Sequence, residues 1–251
     1  MLIVFLLRLG CGLAAAMTTV SSREVSSGYF RNHLYVVLGL SVLAALLAWT
    51  QSVAGLAWAA AGAATAYVAA AAWLYEAPRV GKGALTVTTV LLAVGLAVVG
   101  NGPLAATSEL PAAARGLRAL QTIASSGLLG VVTAAMLLGH WYLNAPGMKL
   151  APLRRLLVLM AAVLAAQCLV AGVGAWLQLQ VDSGLAGQWQ MLAVRWFFGL
   201  LGPWALIWMT WQTLAIPNTQ SATGILYVAV IGVFTGEVVS QVLSARTIYP
   251  V

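Results

Sequence analysis

Residues 155–180 read RLLVLMAAVLAAQCLVAGVGAWLQLQ, and beyond Arg155 this stretch carries no charged side chain. As a helix it is long enough to cross the ~30 Å hydrocarbon core of a bilayer at ~1.5 Å per residue. A transmembrane strand needs only about ten residues of alternating polarity, and this run is far longer and does not alternate. In lipid the backbone must satisfy its own hydrogen bonds, so the run reads as a helix.

Working outward, comparable apolar runs occupy residues 2–20, 33–52, 54–75, 84–106, 119–142, 190–214 and 222–245. The breaks carry turn residues: Ser21, Ser22, Ser26, Ser27 and Gly28, then Pro78, Gly81 and Gly83, then Pro111. Asn144, Pro146, Gly147 and Pro152 form the next break, and Pro217 with Asn218 the last. Between the second and third runs only Gln51 and Ser52 mark a boundary. A tight hairpin is expected there, because a single helix would far exceed a bilayer's thickness. The predicted fold is all-α: a polytopic integral membrane helical bundle of about eight transmembrane helices, in a single transmembrane domain over 1–251. Aligning its two four-helix halves brings out no internal repeat. The first run, interrupted by Arg8 and without a basic segment before it, reads as a retained span rather than a signal peptide.

Composition agrees with that fold. The chain is 62% hydrophobic and 7% charged, against roughly a quarter charged in soluble domains. A net charge of +7 raises the question of nucleic acid, but the basic residues are scattered over several loops and form no stripe. They instead report orientation. Arg23, Arg31, Arg79, Lys82, Lys149, Arg154 and Arg155 fall on one side of the bilayer, and Arg115, Arg118 and Arg246 on the other. The richer side is expected to be cytoplasmic, with both termini outside and the bacterial cytoplasmic membrane as the setting. Cys11 and Cys168 lie within spans without metal-ligand spacing and read as packing residues.

Three charges fall inside the bilayer, all in its outer third: Arg8, Arg195 and Glu237. Each costs at least ~2.5 kcal/mol to insert unless it meets a partner or water. Ser240, Gln241 and Ser244 share a helix face with Glu237, and Asn101 and Gln121 reach the same depth from two other spans. The sharper expectation is a ligand or ion pocket between helices built from Arg8, Asn101, Gln121, Arg195, Glu237 and Gln241. The plainer one is an architectural ion pair with interhelical hydrogen bonds.

On the seventh span, Trp189, Trp196, Trp204, Trp208 and Trp211 fall on one arc, opposite Arg195, Gly199 and Gly202. The glycine arc should face the bundle. The tryptophans should face lipid or another subunit, with Trp196, Trp204, Trp208 and Trp211 as the partner interface. Pro203 should bend that helix beside Gly199. The third span, with 12 alanines among residues 54–72, should pack tightly and do little chemistry.

The two histidines, His33 opening the second span and His140 closing the fifth, both fall at the inner surface. Paired imidazoles at one depth suit a bis-histidine haem b, with Arg31, Lys149, Arg154 and Arg155 near its propionates, or a quinone head group. The plainer reading is two interfacial side chains. Five acids, no glycine-framed nucleophile and no phosphate-binding loop argue against enzyme chemistry and against a nucleotide-driven motor. Two function classes remain. The one the sequence favours is a non-catalytic membrane subunit of a larger bioenergetic complex, binding haem or quinone near the inner side, with other membrane subunits or further copies of itself as partners. The alternative is a small transporter or channel using the outer polar site, for which the Gly-Pro interruptions at Gly102-Pro103 and Gly202-Pro203 speak.

Overall fold

The computed structural model describes residues 1–51, 54–100, 110–145, 147–181 and 187–251. Within them the chain is an all-α bundle with eight segments long and apolar enough to cross a membrane, a multi-pass membrane protein. The helices are α1 (Leu2–Thr19), α2 (Ser27–Thr50), α3 (Leu56–Leu74), α4 (Pro78–Gly100), α5 (Ala112–Asn144), α6 (Ala151–Val181), α7 (Trp189–Trp196), α8 (Gly202–Ala215) and α9 (Thr219–Ser244). A five-residue π turn, Phe197–Leu201, joins α7 to α8, so these three pieces make one span.

Several helices begin earlier than their apolar runs. α2 starts at Ser27, α4 at Pro78 and α5 at Ala112, which corrects the expected starts at 33, 84 and 119. Hydropathy marks the hydrocarbon core, whereas the helix continues for a polar turn or two beyond it. Pro78 suits the first position of α4, where an N–H would be unpaired anyway. Asn218 caps α9, its side chain accepting from Ser221 N at 3.0 Å. The second and third spans are separate helices, with Gly55 at φ +127 before α3, a conformation that favours glycine.

α1 and α5 lie at the centre. α1 packs on α2, α4 and α5, and α5 on α6 and α9. α3 fits between α2 and α4, where its small surface admits close approach: Gly62 receives Leu92, and Gly95 of α4 receives Trp58. Two further contacts bring backbones together. Gly12 of α1 meets Ser126 and Gly130 of α5, and Gly199 meets Gly236 of α9, where a Cβ on Gly199 would lie 2.6 Å from the Gly236 Cα. Such small-residue crossings hold helices together in lipid, where hydrophobic burial between helices supplies little.

Cross-links define one end of the bundle. Arg155 pairs with Glu24 at 2.7 Å, Trp141 Nε1 donates to Ser26 Oγ at 2.9 Å, and Lys82 Nζ donates to Val20 O at 3.0 Å. We call this the basic end and the opposite one, where α1 begins and α9 finishes, the terminal end.

Candidate functional site

The three intramembrane charges converge near the terminal end. Arg8 Nη1 pairs with Glu237 Oε1, and Arg8 Nη2 donates to Thr122 Oγ1 at 3.0 Å. Gln241 Nε2 donates to the same Glu237 oxygen at 3.0 Å, and Gln121 Nε2 reaches Ser240 Oγ at 3.2 Å. Arg195 does not bond the carboxylate. Its Nη1 donates to the Gly236 carbonyl at 3.2 Å, while its Nε and Nη2 have no partner among the described residues. Arg195 and Glu237 are each only 2% exposed. Of the expected pocket, the structure thus brings Arg8, Gln121, Arg195, Glu237 and Gln241 into one layer; Asn101 lies outside the described residues.

The glycine crossings build this layer. Gly12 lies one turn from Arg8, Gly199 one turn from Arg195, and Gly236 directly precedes Glu237. Each contact pulls a charge-bearing helix inward at the right depth and closes the bundle toward the basic end.

Sequence reasoning missed three contributors. Thr122 and Ser126 of α5 belong to the layer, and so does Gln167 of α6. Gly127 faces Val163 and the two helices run antiparallel, so Gln167, one turn past Val163, lies level with Thr122 and Ile123. Gln167 is wholly buried and neither of its amide atoms has a partner among the described residues. Its signal was available: apart from Cys168 it interrupts an otherwise unbroken apolar run from Leu156 to Ala175. Arg8 Nε, Gln121 Oε1 and Ser126 Oγ also have no partner among the described residues. Buried polar groups are almost always hydrogen-bonded, so such a concentration in one layer calls for an explanation.

The segment after α9 closes the layer from the terminal end. Arg118 donates to the carbonyls of Ile248 at 3.1 Å, Thr247 at 2.6 Å and Ser244 at 3.3 Å. Gln178 Oε1 accepts from the backbone N–H of both Ile248 and Tyr249 at 3.0 Å, and Ser240 Oγ donates to Val251 O at 3.1 Å. Gly174 gives the Pro250 carbonyl its room, since a Cβ there would overlap it. Val251 is fully buried among Ala175, Leu192, Val239 and Leu243. Leu192 is one turn above Arg195, so the tail sits between the buried guanidinium and the terminal end.

His33 does not open its helix but lies within α2, 6% exposed, with Nδ1 on the Tyr29 carbonyl at 2.6 Å. Its ring lies 4.4 Å from that of Tyr29 and 6.2 Å from that of Trp141. α5 meets α2 at this level through Trp141, which nests against Gly28, while His140, next along α5, is exposed. Arg31 is half-buried on α2.

On the seventh span, Arg195 and Gly199 face the bundle, and Trp189, Trp204, Trp208 and Trp211 are exposed. Trp196 instead is half-buried, its ring 3.7 Å from where a Cβ on Gly172 of α6 would lie. The expected bend at Pro203 takes the form of the π turn, in which Gly202 N–H reaches back five residues to Phe197 O. A wider turn accommodates a proline that cannot donate.

Among the described residues no group of three His, Cys, Asp or Glu side chains is placed to hold a metal ion. The chain matches no protein-family model, no curated protein and no solved structure.

Proposed function

We propose that the chain is a small membrane transporter for anions, with its substrate site in the layer of Arg8, Gln167, Arg195 and Glu237. The observation that carries this reading is Arg195: fully buried, permanently charged, and with two of its three nitrogens unbonded among the described residues. Among the described residues, two arginines against one glutamate leave the layer with one net positive charge, which a bound anion would neutralise. An architectural ion pair would need neither the second arginine nor an unbonded glutamine amide. The tail above and the glycine crossings below enclose the layer on both sides, as an alternating-access carrier requires of its occluded state. The adjoining π turn is the kind of helix interruption that borders binding sites in transporters. The excess of Lys and Arg at the basic end supports a cytoplasmic setting for it, with both termini outside.

Reconstitution tests this. Proteoliposomes containing the chain should be more permeable than protein-free vesicles to at least one of chloride, nitrate, formate and acetate, read from light scattering after an osmotic step. Permeability equal to that of empty vesicles for all four would contradict the reading.

A second reading, a membrane subunit of a larger assembly, draws support from the seventh span. Phe197, Phe198, Trp204 and Trp208 lie exposed along it, and Trp204 is too deep for interfacial anchoring. Light scattering of the purified protein should then give a particle heavier than one chain in its detergent micelle; a monomer would count against this reading.

A further inference from the structure

The basic end carries a groove of about 770 Å³ that the transport reading does not use. It lies between the first turns of α6 and the last turn of α8, with Lys149, Arg154, Arg155, Leu150, Val158 and Trp211 among its lining residues. Arg154 Nη2 donates to the Leu214 carbonyl at 2.9 Å, which ties the two walls together and satisfies a helix-end carbonyl of α8. Arg155 shares Glu24, so three cations face one carboxylate and the groove keeps a net positive charge.

We propose that this groove holds the head group of an anionic phospholipid. Three features point to lipid rather than to a soluble anion. The cations sit at the end of two transmembrane helices, at the level where head groups lie. Trp211, exposed on α8, is the side chain favoured at that interface. Val158, exposed one turn deeper on α6, continues the groove into an apolar wall that an acyl chain can follow and a free anion would leave unused. Basic pockets between helices are where anionic head groups bind membrane proteins.

The test uses the full chain, purified in a neutral detergent, with its unfolding temperature followed as lipid is added. Phosphatidylglycerol should raise that temperature in a saturable way, and phosphatidylcholine with the same acyl chains should not. Each removed cation weakens attraction by about fivefold, so Lys149→Gln with Arg155→Gln should raise the half-saturating phosphatidylglycerol concentration roughly thirtyfold. Lys149→Gln alone, at an exposed position, should raise it about fivefold and serves if the double variant folds poorly. Equal stabilisation by the two lipids would overturn the proposal. So would an unchanged half-saturation in both variants, or a shift of the same size from inorganic phosphate alone.

Discussion

At the scale of the residue, Glu237 shows what burial demands of a charge. Its need for a cation was legible, because an unpaired carboxylate in the bilayer is too costly to retain. Which arginine answers it was not, since Arg8 and Arg195 lie at one depth and only packing decides. Arg8 takes the ion pair and Arg195 the Gly236 carbonyl. Glu237→Ala should therefore destabilise the protein by about 3–5 kcal/mol in thermal or denaturant unfolding. A double-mutant cycle should show strong coupling of Glu237 to Arg8 and weak coupling to Arg195; the reverse ranking would contradict the geometry. The histidines give the opposite lesson: equal depth in sequence did not tell which one is buried, because α5 turns Trp141 toward His33 and leaves His140 exposed. His140→Ala should change stability by less than about 0.5 kcal/mol, as exposed substitutions do. An absorption spectrum with a Soret band that both His33→Ala and His140→Ala abolish would overturn this placement.

At the scale of the element, apolar run length located the eight candidate spans found among the described residues, because a 20-residue apolar run has few other readings. The helix starts ran earlier than predicted since the first turns are polar, and hydropathy is blind to a helix outside the hydrocarbon. The π turn was only half legible: Pro203 announced a break, but its form depends on how α9 packs against Phe198 and Gly199. The tail was not legible at all. Seven residues after a helix carry no period, and their place follows from Arg118, Gln178 and Gly174, three residues distant in sequence. Its role as a cover is testable by thiol labelling. With Cys11→Ala and Cys168→Ala as background, a cysteine introduced by Ala175→Cys should resist a membrane-impermeant maleimide. Removing residues 247–251 should make it react readily. Equal labelling with and without the tail would show that it covers nothing.

At the scale of the whole molecule, the bundle separates two chemistries: exposed cations at the basic end, and a largely buried polar layer near the terminal end. Reporter fusions after Arg31, Lys82 and Arg155 should read cytoplasmic and a fusion at Val251 external; an internal reading at Val251 would overturn that orientation. The polar layer is proposed to be a ligand site rather than architecture. Calorimetric titration of the purified chain with chloride, nitrate, formate and acetate tests it most directly. At least one of them should bind saturably. Arg195→Gln should weaken that binding by about thirtyfold or more, as loss of one partner of a buried charge pair does, while Arg195→Lys should keep part of it. No saturable binding by the unmodified chain, or binding that Arg195→Gln leaves unchanged, would contradict the account.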